Sequence, residues 1–375
     1  MKRPSGIVWA GPVADMGGYG NVSRNFLKSL SMFNIPIHIV NFSSVDHEIG
    51  KEDLKFLQEL NRPLSELGNE SVLITHWTPE LFSQLNYPGI VKKIGVTIFE
   101  TDRIPAHWTS LCNRMDEVWL PSEFNFDTFT KSGVDVQKVR IIPYALDSRD
   151  YLKTWNKFNF PEGTKKFKFL YTCAFDYRKG IDLLIRAYCN EFSESEDVSL
   201  ILKIYVPSHY KNFDIDKFLK DNIPAKESRP HIYVYTERFP REQLYSLMQS
   251  CDAYVSSDRA NGWGMPCMEM MAFGIPTATI NWSGSTEFMN ENNSFLIEPE
   301  NEFEPVHPML QATRFELYGG HQWRVVREKT IQTVLREIYE NKEKRNVIAR
   351  CGQDTIIEQF SVKAIYEKIS KIMYI

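Results

Sequence analysis

Short apolar, β-branched runs alternate along this chain with segments whose apolar positions recur every three or four residues. In the first half the runs predict strands at 7–10, 37–42, 72–76, 94–99, 117–120 and 139–142. They are almost continuously apolar, the pattern of a parallel sheet covered on both faces. Between the first two, Val22, Phe26, Leu30 and Phe33 share one face of a helix. A second series opens after the lysine-rich stretch 153–168, with strands predicted at 169–173, 200–205, 232–235, 253–256, 277–280 and 295–297. Its helices carry Ile181, Leu184, Ile185 and Tyr188, then Leu244, Leu247, Met248 and Cys251. Pro240 and Pro266 stand where a first helical turn would begin, a place that needs no N–H partner. A last helix after Ser361 aligns Val362, Ile365, Ile369 and Ile372.

Two successive β/α series predict an α/β fold of two Rossmann-like, doubly wound domains, facing across a cleft at the carboxyl ends of their strands. The expected domains are 1–157 and 158–358, followed by a helix at 359–375 free to cross back to the first domain. A length of 375 residues suits two domains. A composition 43% hydrophobic and 25% charged is that of a soluble globular chain. Forty-four basic against 48 acidic residues give a net charge of -4, which argues against nucleic acid as a partner. The six cysteines form no Cys-x-x-Cys pair, so they read as reduced thiols in a cytoplasmic protein rather than as zinc ligands. No apolar run reaches the roughly 18 residues of a membrane span. The opening Met1-Lys2-Arg3-Pro4-Ser5 leads into no secretory signal.

Four loops, each after a predicted strand, carry the chemistry. The first, 11–20, holds Gly17, Gly18, Tyr19 and Gly20 and runs into the Val22 helix. Its glycines permit a bare backbone to approach a ligand, and a helix start behind them offers N–H groups to an anion. A simple tight turn explains it equally well. The second, 173–180, puts Arg178 and Lys179 before the Ile181 helix, where cations oppose the helix dipole unless a diphosphate reverses the sign. The third, 261–276, combines Asn261, Gly262, Trp263, Gly264, Met265, Pro266 and Glu269. The fourth, 281–288, contains Gly284, Ser285 and Thr286, whose N–H groups and hydroxyls suit phosphate oxygens. Each loop alone has a bland explanation; their occurrence in this order is harder to explain so.

These segments resemble the retaining GT-B glycosyltransferases, specifically glycosyltransferase family 4. Asn-Gly-Trp-Gly-Met-Pro-Cys-Met-Glu at 261–269 is similar to the family's Glu-Gly-Phe-Gly-Leu-Pro-x-x-Glu element, and 271–276 to its continuation. The 282–288 turn, the Gly17–Gly20 loop, Arg178-Lys179-Gly180, and the stretches 99–105 and 118–123 also have the family's look. The resemblance implies transfer of a sugar from a UDP-, GDP- or ADP-sugar to a hydroxyl of a glycan or lipid-linked acceptor, with retention of configuration and without a metal or other cofactor. It implies that Glu269 accepts from the ribose hydroxyls and that Lys179, with Arg178, holds the diphosphate. Gly264 and Met265 belong to the same donor loop. Gly284, Ser285 and Thr286 would donate to the diphosphate, and Gly17, Gly18 and Tyr19 would close over it from the first domain. Three positions depart from the pattern. Asn261 replaces the glutamate that contacts the donor sugar, Ala174 stands near a usual arginine, and Glu100 occupies the place of a sugar-contacting histidine. Asn261 is therefore expected against the donor sugar.

The departures keep two alternatives open: an inactive GT-B subunit that binds nucleotide sugar or glycan, and a sugar-nucleotide hydrolase or epimerase. Asp214-Ile215-Asp216 has the form of a metal-binding Asp-x-Asp, but starting a helix is the expected role. His76 either lines an acceptor site or is a structural histidine. Most of the eight tryptophans are expected in the core, with Trp263 the exception because glycines flank it. Lys92-Lys93 and Lys165-Lys166 offer a peripheral contact to the inner face of a membrane; with a pI near 6.1 a solvated surface is the preferred reading.

Overall fold

The computed structural model describes residues 2–43, 49–207, 210, 213–225 and 229–374. The chain divides into two compact units, 1–148 with 357–375, and 149–356. The break thus falls nearer the amino terminus than the expected 157/158.

In the first unit the order is β1 (Gly6–Gly11), α1 (Gly18–Ser31), β2 (Ile37–Asn41), α2 (Lys51–Leu60), β3 (Ser71–His76), β4 (Ile90–Val96), α3 (Ala106–Cys112), β5 (Glu117–Leu120), α4 (Glu123–Lys131) and β6 (Val139–Ile141). The six strands form one parallel sheet in the order β2-β1-β3-β4-β5-β6. Every residue of β1, β3 and β5 is buried, as in a sheet covered on both faces, and most of their residues are apolar. The order reverses between β1 and β3, the switch point at which such sheets bind ligands. β4 lies earlier than the predicted 94–99, because Lys92 and Lys93 join it: the Lys92 ammonium pairs with Glu117 of β5 at 2.8 Å, and Asp116 accepts from Lys93 N–H at 2.7 Å. Lys92 is thereby spent on an internal ion pair, which takes it away from the less favoured alternative of a lysine contact to a membrane.

The second unit continues with β7 (Phe167–Ala174), α5 (Ile181–Glu191), β8 (Val198–Tyr205), α6 (Ile215–Asn222), β9 (His231–Tyr235), α7 (Arg241–Gln249), β10 (Ala253–Val255), α8 (Met265–Ala272), β11 (Thr277–Ile280) and β12 (Phe295–Ile297). Its parallel sheet has the order β12-β11-β10-β7-β8-β9, reversing between β10 and β7. Then come β13 (Phe303–Pro305), α9 (Pro308–Thr313), α10 (Phe315–Tyr318), β14 (Gln322–Arg324), α11 (Glu328–Glu340), α12 (Lys342–Gln359) and α13 (Val362–Ser370). The β13–β14 pair is antiparallel and carries no apolar alternation, so the sequence pattern missed it. Pro266 is in the first turn of α8 as expected, whereas Pro240 is the residue before α7.

The terminal segment packs within the first unit. Ser29 of α1 donates its hydroxyl to the Val362 carbonyl at 2.9 Å, and the Phe33 and Tyr366 rings meet edge-on at 4.9 Å. Among the described residues no helix is long and apolar enough to cross a membrane.

Candidate functional site

The loops singled out in the second half leave the carboxyl ends of β7, β10 and β11, on both sides of the reversal in strand order. β7 runs into a 3-10 turn at Tyr177–Lys179, and Gly180, at φ 58° and ψ 26°, leads into α5. A Cβ on Gly180 would stand 2.1 Å from the Ser257 carbonyl oxygen, so only glycine lets the turn seat on the loop after β10. Asp176 caps the turn by accepting from Arg178 N–H at 2.9 Å. Arg178 and Lys179 therefore lie on this turn rather than in the first turn of α5. That first turn instead carries Asp182, whose charge suits the helix dipole.

The Lys179 ammonium donates to Asp258 at 2.6 Å, and the Arg178 guanidinium donates to the Ala260 carbonyl at 2.8 Å. Asp258 is buried and also accepts from the Tyr171 hydroxyl, whose pKa burial and this carboxylate push well above the usual phenol range. An ammonium has three protons, so Asp258 leaves Lys179 two for an incoming oxygen. Arg259, passed over in the sequence because it precedes the glycine motif, forks onto Asp182 at 2.9 and 2.8 Å and donates to the Tyr177 carbonyl at 3.0 Å. The turn is thus clamped from below by the loop after β10.

Asn261 lies in the interior of the second unit. It is 2% exposed, and its groups tie two loops together. Its Oδ1 accepts from Ser285 N–H at 3.1 Å, its carbonyl accepts from Gly284 N–H at 2.9 Å, and its own N–H donates to Ser283 Oγ at 3.0 Å. These bonds give Asn261 a structural role beside the expected contact to a donor sugar. The same bonds involve Gly284 and Ser285, which with Thr286 are the expected diphosphate donors. Two of their amides are spent on Asn261, and Thr286 N–H donates to the Ser283 carbonyl at 3.2 Å. The segment is a four-residue 3-10 turn, Gly284–Glu287, not a helix start. Gly284 is required there, since a Cβ would lie 1.6 Å from the Gly262 carbonyl oxygen. Ser283 holds φ 74° and ψ -162°, a region nearly reserved for glycine, so the turn stores strain.

α8 opens after Gly264, itself at φ 91°, with Met265 as its first residue. Among the described residues no side chain caps it. Glu269, partly buried on α8, accepts the Tyr151 hydroxyl at 2.9 Å, and Tyr151 is in turn 3.1 Å from the Tyr245 hydroxyl. Nothing in the sequence signalled Tyr151, because it precedes the second β/α series. Trp263 corrects the stacking expectation: it is 2% exposed, its indole N–H donates to the Met268 sulfur at 3.3 Å, and its ring packs on Phe288.

Gly17, Gly18, Tyr19 and Glu100 belong to the first unit. Gly17 N–H donates to Asp15 at 2.5 Å, and Gly17 and Gly18 are exposed at the start of α1, whose first turn has no capping side chain among the described residues. Tyr19 packs against His76 and Trp77 with ring centroids 5.3 and 5.1 Å away. Glu100 is half-buried just after β4. His76 is fully buried, with Nδ1 2.7 Å from Ser23 Oγ, and burial pushes its pKa down to about 3. It is a neutral histidine of the interior. Asp214 accepts from Lys217 N–H at 2.9 Å and Asp216 sits in the first turn of α6, the helix-starting arrangement.

Two parallel six-stranded sheets, each covered by helices and each reversing at a switch point, define the GT-B fold. Residues 153–306 match the family described as Glycosyl transferases group 1, a span that contains all three loops of the second unit. No curated protein matches the chain by sequence. Among solved structures the chain is similar to HepE of Anabaena in complex with UDP-glucose, at 14% identity, 98% of each chain and a TM-score of 0.67. It is also similar to a sucrose-phosphate synthase from Thermosynechococcus elongatus, at 12% identity, 98% of each chain and a TM-score of 0.67. A glycosyltransferase from Rickettsia africae shows 13% identity over 99% of this chain and 98% of its own, with a TM-score of 0.65. The group 1 match and the fold together support a glycosyltransferase.

Proposed function

We propose that this protein is a retaining, metal-independent glycosyltransferase of family 4. It moves a sugar from a nucleotide-diphosphate donor to a hydroxyl of a glycan, glycolipid or polysaccharide precursor. The observation that carries the reading is the coincidence of the group 1 match with the loops after β7, β10 and β11. HepE structures contain UDP and UDP-glucose, which makes UDP-sugars the first donors to test.

In this reading Lys179, with two protons free of Asp258, takes the oxygen on which charge builds as the diphosphate leaves. The uncapped start of α8, at Gly264 and Met265, adds N–H donors and the positive end of a helix dipole. Glu269, held by Tyr151, accepts from the ribose hydroxyls. Arg178 and Asn261 act as positioning residues that fix the two turns. Neutralisation of the diphosphate by these groups is the reason no divalent ion is required.

A panel of UDP-, GDP- and ADP-sugars, read by nucleotide release and by sugar incorporated into an acceptor mixture, tests the reading. Transfer from one donor supports it. Binding without turnover supports an inactive subunit, and free sugar without transfer supports a hydrolase.

A further inference from the structure

Lys203 stands near the carboxyl end of β8, in register with Thr172 of β7 and Tyr235 of β9. Its neighbours along the strand, Leu200, Ile201, Leu202 and Ile204, are fully buried, and Lys203 itself is 8% exposed. Several other partly buried lysines have partners, and Lys138 donates to the Asn113 and Met115 carbonyls at 2.7 and 2.8 Å. Lys28 pairs with Asp53 and Asp147, Lys92 with Glu117, Lys168 with Asp252 and Lys179 with Asp258. Lys203 has no hydrogen bond or ion pair among the described residues. Its ammonium lies 4.9 Å from the centre of the Phe239 ring, and Glu237 acts on it only through space. Burial accordingly pulls its pKa below the usual lysine range, with Glu237 opposing.

An ammonium held against apolar surface, with no counter-charge in contact, is costly, and such groups collect where a ligand completes them. The position fits. Thr172, its register partner, is four residues before Asp176, which caps the Arg178–Lys179 turn. Cys173 is within electrostatic reach of Lys179, Arg178 and Lys203 alike. Lys203 thus stands on the strand next to the one that leads into the turn, on the side away from β10, where no sequence motif drew attention to it.

We propose that Lys203 is a further donor-binding residue, whose ammonium takes an acceptor oxygen of the bound nucleotide diphosphate, either on a phosphate or on a base carbonyl. This rests on the nucleotide-sugar reading given above. The ligand oxygen supplies the partner that the fold withholds, and a base presenting an amine at that place would be disfavoured.

The test is calorimetric titration of the full chain with UDP, ADP, pyrophosphate and uridine, comparing wild type, Lys203→Met and Lys203→Arg. Removing an uncompensated charge while keeping the apolar stem preserves the fold, and Lys203→Gln serves as a second neutral variant should the methionine form aggregate. UDP affinity falls about tenfold or more in the neutral variants, the weight of a hydrogen bond to a charged group, and Arg recovers part of it. A parallel loss for pyrophosphate and ADP places the oxygen on the phosphates; a loss for uridine with ADP unaffected places it on the base. Unchanged UDP affinity in both neutral variants, alongside a weakened Lys179→Met control, overturns this proposal alone. Failure of the wild type to bind UDP, GDP or ADP overturns the donor reading and this proposal with it.

Discussion

Replacing Asn261 by alanine removes the acceptor that Ser285 N–H uses and leaves that N–H inside the protein, where Ser285 is 0% exposed. A buried donor stripped of its partner costs about 1–3 kcal/mol. The second carboxamide contact, Nδ2 to Ser285 Oγ at 3.4 Å, is long, and Ser285 Oγ retains Thr279 at 3.3 Å, so its loss adds little. The ties made by the Asn261 backbone to Ser283 and Gly284 survive the substitution. The expected loss of unfolding free energy is therefore about 1–3 kcal/mol. Urea denaturation followed by two optical probes measures it, with the slope required to stay constant. A loss below about 0.5 kcal/mol, the scale of an inert surface change, combined with an altered donor preference, would refute the structural tie. It would return Asn261 to the sugar.

Glu269→Gln keeps the acceptor for Tyr151 but gives up the charge that faces the ribose hydroxyls in the proposed site, so nucleotide diphosphate affinity should fall about tenfold; an unchanged calorimetric constant removes Glu269 from the site. Gly180→Ala places a Cβ 2.1 Å from the Ser257 carbonyl at a positive φ, so it should lower both the melting temperature and nucleotide affinity, and a variant with wild-type values would show that the turn need not seat there. Transfer activity should survive EDTA; loss on chelation, restored by manganese or magnesium, contradicts the metal-independent reading. Burial lowers the His76 pKa from 6.5 to about 3, so between these values the unfolded chain binds a proton that the native one refuses. Stability is full above pH 6.5 and falls as the pH drops, by about 2 kcal/mol at pH 5, and His76→Gln should flatten that dependence; an equal slope in both proteins removes His76 as its cause.

The fold was legible because a parallel sheet covered on both faces demands nearly unbroken apolar strands, and these write themselves into the sequence. β5, β11 and β12 fall at their predicted residues for that reason. β4 was misplaced because two lysines enter a strand when partners on β5 and at Asp116 meet them, and pairing across strands leaves no trace in the local pattern. The site was legible where backbone shape decides, as at Gly180 and Gly284, whose missing side chains permit contacts of loop on loop. It was not legible where partner choice decides. The sequence placed Asn261, Ser285 and Trp263 against ligand, yet their polar groups are satisfied inside the protein. Tyr151, Arg259 and Lys203 lay outside every motif, and only their neighbours in space reveal them.

The central claim is that a nucleotide-diphosphate sugar binds at the carboxyl ends of β7 and β10. Amide hydrogen exchange with and without the saturating donor from the panel tests it most directly. Slowed exchange across 176–180 and 258–269 is the predicted result. No protection at these segments under saturation, or protection confined to other parts of the chain, would contradict the account.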